Sequence, residues 1–300
     1  MKTWPINNNR GFSLIELLVA LGLSLLVVSA VYGLFNSQNA VYMNQNRVTE
    51  MQQNARMALN LLASEFRMAG FGFSMSGDYS VAGGTVYAVT PTNSTNGPDS
   101  VTIRYGMNPT PNTTVSLTSA MANSNTGAAL IVSSTTGFAV NDYIIISDGQ
   151  NAARLQVTGI NSGTNTLSYA NVTPNIFPTG GFAIGSAVYK LRQISYRVSS
   201  NVLQYQTDGV NWKDGVNNIE DLQLAYQGTT TPTGTWLDNP SPVNQTTTTS
   251  TQINIVAIPG DIDSNFTGQR PALRDRAAGS ADHYRRRVLT STIMIRNLTS

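Results

Sequence analysis

The sequence predicts an α+β fold in which a long N-terminal helix packs on an antiparallel, β-rich globular domain. The apolar run 12–35 contains a single charge, Glu16, which indicates a helix that meets lipid or other apolar surfaces. Residues 48–69 then repeat apolar side chains at spacings of three and four, the pattern of an amphipathic helix. From Asp99 onward, short alternating or β-branched runs are separated by Gly, Asn and Asp, which is typical of strands joined by turns.

The apolar run is long enough to cross a membrane. It comprises 24 residues from Phe12 to Phe35. At 1.5 Å of rise per residue, such a helix spans about 36 Å, against about 30 Å for the hydrocarbon core of a bilayer. Lys2 and Arg10 precede the run. Because positive residues are retained in the cytoplasm, we expect a single span with the C-terminal part outside.

The second half of the helix is predicted over residues 36–71. No proline occurs between Pro5 and Pro91, and Gly70 is the first of three glycines that end the helix. We expect the apolar stripe of this half to lie on the protein's own sheet. The residues expected to make that helix-to-sheet contact are Leu59, Leu62 and Phe66.

The remaining residues, 72–300, are predicted to form the β-rich domain. The spacing of the strand-like runs favours antiparallel pairing over parallel βαβ units. Segment 135–172 has the pattern of a compact β meander inserted into the main sheet. Segment 228–251 is rich in Thr and Pro and is predicted to be a long exposed loop.

Composition narrows the classes of function. Charged residues make up 11% of the chain, against about 25% in typical soluble proteins, which favours an exported β-rich domain. The chain has no cysteine and one histidine, His283, so a disulfide, a thiolate nucleophile and a multi-histidine metal site are excluded. The net charge of +2 gives no general case for a nucleic-acid partner. Because the sequence also contains no P-loop, dinucleotide or zinc-protease motif, we predict neither an enzyme nor a cofactor.

Three interpretations of the N-terminus compete. A secretory signal peptide would use the small residues of Val27–Ala30 for cleavage after Ala30, although the apolar run is long and carries an acid. In a plain membrane anchor, Glu16 would cost about 2.5–3.5 kcal/mol on insertion and would have no evident role. The third interpretation gives this acid a role in assembly.

The start of the chain resembles type IV pilins and type II secretion pseudopilins. A short basic leader, 1–11, ends in Gly11 and is followed by "FSLIELLVALGL", in which Glu16 is the fifth residue from Phe12. In that family a prepilin peptidase cuts after the glycine and methylates the new N-terminal amine. The resemblance therefore implies cleavage between Gly11 and Phe12 and N-methylation of Phe12. It also implies that Glu16 pairs with a Phe12 amine, of a neighbouring subunit or its own, because opposite charges in an apolar helix bundle attract strongly.

Later segments narrow the resemblance to PilW-type minor pilins, which are relatives of the J-type minor pseudopilins of type II secretion. The similar segments are 51–71, 99–106, 216–226 and 285–298. They imply a type IV pilin-like fold, with residues 12–35 as the transmembrane and filament-core half of the helix. Many relatives carry a disulfide, which this chain cannot form.

The function implied by the resemblance is structural. The protein would be a minor pilin that primes assembly of a type IV pilus near the filament tip. Its implied partners are prepilin peptidase, other minor and major pilins, and inner-membrane lipid before assembly, while nucleic acid is not expected. It would span the bacterial inner membrane once, hold its C-terminal domain in the periplasm, and then reach the pilus surface. The alternatives are a minor pseudopilin of type II secretion and a membrane-anchored secreted adhesin or enzyme.

A weak calcium candidate lies at Asp261, Asp263 and Asn265. These residues place oxygen atoms at positions one, three and five of a loop, as a calcium-binding loop does. Position six is Phe266 rather than glycine, and position twelve is Ala272 rather than glutamate. We therefore expect a turn here and no metal site.

Two further groups of charged residues receive structural interpretations. The basic group could touch DNA phosphates, but ion pairing within the protein or a solvated edge is favoured; it comprises Arg274, Arg276, Arg285, Arg286 and Arg287. The acidic group could suggest paired catalytic carboxylates; it comprises Asp208, Asp214, Glu220 and Asp221. Two of its members lie in "TDGVNWKDG", where hairpin chemistry accounts for them.

Overall fold

The longest element is a helix, α1, that runs from Leu14 to Met68. The structure, a computed structural model, describes residues 12–81, 84–121, 129–170, 177–229, 231–232, 234–240 and 248–298. The chain divides into two compact units, Met1–Glu50 and Met51–Ser300.

Seventeen strands and one short 3₁₀ helix follow α1 in the described part of the chain. The strands are β1 (Asp78–Val81), β2 (Gly84–Tyr87), β3 (Val89–Thr92), β4 (Ser100–Met107), β5 (Val115–Ser116), β6 (Ala129–Ile131), β7 (Tyr143–Ser147), β8 (Ala152–Asn161), β9 (Thr166–Tyr169), β10 (Ala187–Ser199), β11 (Val202–Gln206), β12 (Lys213–Asn217), β13 (Ile219–Gly228), β14 (Thr248–Ala257), β15 (Gly268–Gln269), β16 (Ala281–Asp282) and β17 (Arg287–Met294). The 3₁₀ helix covers Arg296–Leu298.

The strands form two large sheets and one small one. The twelve-stranded sheet follows the order β12-β11-β10-β7-β8-β1-β2, with β3, β4, β5, β6 and β9 attached beside this path. The three-stranded sheet has the order β13-β14-β17, and β15 pairs with β16. Among the described strands, pairing is antiparallel except between β1 and β8, which meet in parallel at one pair, Ser80 and Ala153. The predicted combination of a long N-terminal helix and a β-rich domain of antiparallel sheets is confirmed.

The C-terminal part of α1 packs on both large sheets. Its buried side chains recur mostly every three or four residues and are Met51, Ala55, Ala58, Leu62, Ala63 and Phe66. They share one core with Tyr196 of β10 and Ile255 of β14. Of the residues expected to contact the sheet, Leu62 and Phe66 are fully buried, and Leu59 is partly buried against the same core.

The last described residues of the chain close the C-terminus of α1. The final carbonyl groups of a helix lack an N–H partner within the helix. Here the side-chain amide of Asn297 donates to the carbonyl oxygens of residues 67–69 over 3.2–3.3 Å. Leu298 packs beside Gly70, where a Cβ would lie 2.6 Å from Leu298 Cδ2. The φ of Gly70 is +76°, so glycine is needed both for the turn and for the close approach.

A second hydrophobic core lies within residues 115–188. Its fully buried members include Leu117, Leu155, Leu167 and Phe182. These side chains come from β8, β9 and the connections around them. The core is wider than the meander expected at 135–172, because residues 115–132 and 177–188 also contribute to it.

The Thr- and Pro-rich connection lies between β13 and β14. β13 ends at Gly228 and β14 begins at Thr248. Residues 230, 233 and 241–247 lie outside the described residues. Tyr226 of β13 and Leu237 exchange two backbone hydrogen bonds of 2.8 Å, so this part of the connection lies along the edge of the sheet.

Candidate assembly site at the helix N-terminus

The helix begins with a capping box formed by Ser13 and Glu16. The backbone N–H of Ser13 donates to Glu16 Oε2 at 3.0 Å, and the N–H of Ile15 donates to Ser13 Oγ at 3.3 Å. The carbonyl of Ser13 accepts the first helical hydrogen bond, from Leu17, at 3.2 Å. The two side chains thereby satisfy two N–H groups that a helix start leaves without partners.

The capping box gives Glu16 a local role that the sequence interpretation lacked. A plain anchor left the acid without an evident role, whereas the structure shows it stabilising the first turn. Replacement of such a cap costs about 1 kcal/mol. The signal was present in the sequence, because "SLIE" places a serine three residues before an acid at the start of an apolar run.

The first part of α1, up to Phe35, presents a largely apolar surface on every side. Phe12 is 89% exposed, and every residue from Phe12 to Met43 is exposed. A helix that is apolar all round is stable only in lipid or among other apolar elements. Among the described residues, one helix, Leu14–Met68, is long and apolar enough to cross a membrane.

Of the leader and the expected cleavage site, the structure describes only the residue after the cut. Gly11 and the rest of the leader, 1–11, lie outside the described residues. Phe12 is described and precedes the helix, one residue before the Ser13 cap. The structure therefore places the expected new N-terminus next to the capping box that holds Glu16.

Comparison with known protein families decides what kind of N-terminus this is. Residues 6–32 match the family described as the prokaryotic N-terminal methylation motif. The chain carries a prepilin-type methylation motif. This match contains the Gly11–Phe12 junction, Glu16 and most of the apolar run. The match covers the N-terminal segment and leaves the β-rich domain outside it.

Two further comparisons are not confined to the N-terminal segment. A type IV-like pilin from Thermus thermophilus is similar to this structure, with 13% sequence identity and a TM-score of 0.38. The alignment covers 84% of this chain and 97% of that one. No curated protein matches this sequence.

The calcium candidate has a different arrangement in the structure. Asp263 Oδ2 accepts a hydrogen bond from Arg285 Nε at 2.9 Å, so one carboxylate of the candidate set is bound to a cation of the protein. The N–H of Asn265 donates to Asp263 Oδ1 at 3.2 Å, as in a local turn. Among the described residues, no group of three or more histidine or acidic side chains is placed to hold a metal ion.

The basic group expected to form ion pairs is distributed over several acids. Arg286 contacts Glu220 at 2.6 Å and Asp282 at 2.5 Å, and Arg274 contacts Asp238 at 2.7 Å. The hydrogen bonds that Arg286 donates to Asp282 and Glu220, together with the negative charges of these two residues, raise the pKa of its guanidinium above the ordinary value. β17 begins at Arg287, so Arg285 and Arg286 precede the strand.

The acidic group does not act as one site. Asp208 caps its turn by accepting hydrogen bonds from the N–H groups of Val210 and Asn211 at 2.9 and 2.8 Å, which lower its pKa to about 2. Asp214 accepts from the Gln204 side chain at 2.8 Å. These contacts agree with the hairpin interpretation of this turn.

Asp221 belongs to a buried charge cluster that sequence reasoning missed. Its carboxylate has no exposed surface and receives Arg270 Nη1 at 3.1 Å and Arg276 Nη1 at 2.5 Å. Gln223 Nε2 donates to the same carboxylate at 3.0 Å. Both arginines lie in the segment between β15 and β16, and Asp221 lies in β13. The two ion pairs therefore connect this segment to β13. Their positions, 49 and 55 residues after Asp221, give no local signal in the sequence.

Proposed function

We propose that this protein is a PilW-type minor pilin, a structural component that primes assembly of a type IV pilus near the filament tip. The observation that carries the proposal is the methylation motif at residues 6–32, which includes the Gly11–Phe12 junction. The largely apolar, exposed surface of α1 up to Phe35 supports it, because such a helix can lie in lipid first and among other helices later.

In this proposal, processing creates the charge that assembly uses. A prepilin peptidase cuts after Gly11, and Phe12 becomes the methylated N-terminal residue with a positive amine. The positive amine then lies near the capped start of α1, where the Glu16 carboxylate is exposed in the isolated chain. An apolar filament core makes each unpaired charge costly, so pairing of Glu16 with a Phe12 amine favours assembly.

We also propose the orientation and the role of the domain. Lys2 and Arg10 hold the leader in the cytoplasm, and residues 72–300 lie in the periplasm before they reach the filament. Segments 51–71, 99–106, 216–226 and 285–298 support the PilW type and the position near the tip. The buried ion pairs and apolar cores described above serve stability, so the proposed role of the domain is structural rather than catalytic.

The N-terminus of the mature protein tests the proposal. We expect mass spectrometry of the protein from sheared filaments to find an N-methylated Phe12. A mature N-terminus at Val31 would instead support an ordinary signal peptide. Presence of the protein in the pseudopilus of a type II secretion system, and its absence from pili, would favour the pseudopilin alternative.

Substitution at the junction gives a matched test of processing. Gly11→Val should leave a membrane-bound precursor that keeps the 11-residue leader, because a bulky side chain hinders access of a protease to the backbone. Gly22→Val is the control, since a Cβ at Gly22 meets no atom within 4 Å and lies away from the junction. Normal cleavage of the Gly11→Val chain would contradict the assignment.

A further inference from the structure

The two outer edges of the three-stranded sheet differ in how their backbone groups are satisfied. On the β13 edge, the carbonyl of Leu222 accepts from the N–H of Asp99, and the N–H of Leu224 donates to Asp99 Oδ2, both at 2.8 Å. Tyr226 exchanges two backbone hydrogen bonds with Leu237. On the β17 edge, no described residue forms a backbone hydrogen bond on the side away from β14. Within the part of the chain that the structure describes, the β13 edge is covered and the β17 edge is open.

The alternation of an antiparallel ladder identifies the open groups of β17. The backbone groups that point away from β14 belong to Leu222, Leu224 and Tyr226. Their alternating neighbours Asp221, Gln223 and Ala225 therefore bond to β14. The β14 residues opposite those neighbours are Val256, Asn254 and Gln252. The intervening β14 residues therefore bond to β17, opposite Leu289, Ser291 and Ile293. The outward N–H and C=O groups of β17 then belong to Val288, Thr290, Thr292 and Met294.

A further backbone hydrogen bond agrees with this assignment, and the side chains beside the edge are accessible. The N–H of Ile295 bonds to the carbonyl of Thr249 at 2.8 Å, which continues the inward series of odd-numbered residues. Thr290, Thr292 and Met294 are exposed, and Met294 has 63% of its surface accessible. The open edge thus presents four donors and four acceptors along one strand.

β17 lacks the features that protect other edges of this protein. β3 is an edge strand that contains Pro91, and β12 is an edge strand with a register shift opposite it and with Lys213 at its start. β2 has only four residues. β17 has eight residues, contains no proline and pairs with β14 in an unbroken register. An edge of this kind is a template for strand addition.

We infer that β17 pairs antiparallel with β17 of a second copy of this chain about a two-fold axis. The register that sets Thr290 opposite Thr292 of the second copy also sets Val288 opposite Met294. This register pairs all four outward residues within the strand, whereas a shift in either direction leaves part of the edge unpaired. The result is a continuous six-stranded sheet made from two three-stranded sheets.

The side chains of β17 fit this register. Thr290 faces Thr292 and Val288 faces Met294 on one surface, and Leu289 faces Ile293 on the other. Pairs of β-branched or apolar residues directly opposite each other stabilise antiparallel sheets. The single charge of the strand, Arg287, lies opposite Ile295 rather than opposite its own copy, so like charges do not meet. This self-complementarity favours a second copy as the occupant, and the inference does not depend on the proposed function.

Cysteine cross-linking of the full-length protein in detergent tests the inference. The natural chain has no cysteine, so each introduced thiol is the only one. Ser291 lies on the two-fold axis opposite itself, in a non-hydrogen-bonded pair whose Cα atoms are about 4.5 Å apart, within reach of a disulfide. We expect Ser291→Cys to form a covalent dimer under mild oxidation and to lose it on reduction.

A neighbouring position is the matched control. In the same register, Thr292 lies opposite Thr290, and the two copies of Thr292 are separated by more than the roughly 7 Å that a disulfide spans. We therefore expect Thr292→Cys to form about tenfold less dimer than Ser291→Cys. Equal dimer formation by the two variants would overturn the inference.

A proline on the open edge provides the second test. Thr292→Pro removes an N–H that points away from β14, so the fold is expected to persist, as circular dichroism and a thermal melt can verify. In the Ser291→Cys background this proline should abolish the covalent dimer. Undiminished cross-linking, or a Ser291→Cys chain that stays monomeric, would show that β17 does not pair with a second copy.

Discussion

The side chain of Asp99 takes the place of a neighbouring strand for Leu224. Asp99 Oδ2 accepts the backbone N–H of Leu224 at 2.8 Å, and the N–H of Asp99 donates to the carbonyl of Leu222 at the same distance. Asp99 directly precedes β4 of the twelve-stranded sheet, whereas Leu224 lies in β13 of the three-stranded sheet. One carboxylate therefore joins the two sheets that share the main core.

The first prediction concerns pH. Burial raises the pKa of Asp99 to about 7, and the nearby charges of Asp275 and Asp221 act in the same direction, while the backbone hydrogen bonds oppose them. The folded protein thus binds this proton more tightly than the unfolded chain. The resulting stability is fully present below pH 4 and is lost as the pH rises towards 7.

An asparagine variant isolates this effect. Asp99→Asn does not titrate and keeps an oxygen for the Leu224 N–H. We expect the free energy of unfolding of the natural protein, relative to this variant, to fall by about 1–3 kcal/mol between pH 4 and pH 7. Urea titrations followed by tryptophan fluorescence measure it, and a difference that does not change with pH would contradict the prediction.

The second prediction concerns the buried charge cluster of Asp221. Asp221→Asn should destabilise the protein by about 3–5 kcal/mol, because Arg270 and Arg276 lose their carboxylate in a buried setting. Replacing both arginines by methionine in the same chain should recover much of this loss. Arg285→Ala is the control: its pair with Asp263 is more exposed, so the expected change is within about 1 kcal/mol. Equal losses in the Asp221 and Arg285 variants would show that burial does not decide the effect.

The third prediction separates the two roles of Glu16. Glu16→Gln keeps a side chain that can complete the capping box but removes the charge. Glu16→Leu removes both, together with an insertion cost of about 2.5–3.5 kcal/mol. We expect both variants to enter the membrane and to be cleaved, and both to be depleted in sheared filaments, because a Phe12 amine loses its partner.

Ser13→Ala is the matched control for the cap. It removes the hydroxyl that caps Ile15 but keeps the Glu16 charge, so its content in filaments should match that of the natural protein. The measurement compares membrane content with filament content for all three variants. If the Glu16→Gln protein entered filaments normally and the Ser13→Ala protein were depleted from them, the role of Glu16 would be capping alone.

The fourth prediction concerns the division of α1. A chain without residues 1–39 should be a soluble, β-rich protein that needs no reductant, since it keeps the buried stripe from Met51 to Phe66. A chain that also lacks residues 40–71 loses Leu62 and Phe66, each worth about 1.5–3 kcal/mol of burial. Because a domain is stable by only about 5–15 kcal/mol, the shorter chain should unfold at much lower urea. Equal urea midpoints would show that this helix half is not part of the core.

The helix and the strand-rich remainder were predictable because their signals are local. The spacing of three and four residues around Leu62 and Phe66 indicates a helix without knowledge of its partner. The contact of Asp99 with Leu224 joins residues 125 positions apart, and that of Arg276 with Asp221 joins residues 55 apart. Such pairs depend on the folded topology, so sequence alone identified neither. The capping box of Ser13 and Glu16 was local and could have been found, since its residues are three positions apart.

The closure of α1 by Asn297 makes the end of the helix depend on a segment far away in the sequence. This residue lies 228–230 positions after the carbonyl groups that it binds, and Leu298 fills the adjacent space. The helix emerges early in synthesis, whereas Asn297 follows its last carbonyl group only after 228 further positions. A product of premature termination therefore carries an unfinished helix terminus, however much of the sheet it contains. The end of α1 is in this sense completed only after the whole sheet-forming part of the chain between Met68 and Asn297 has been made.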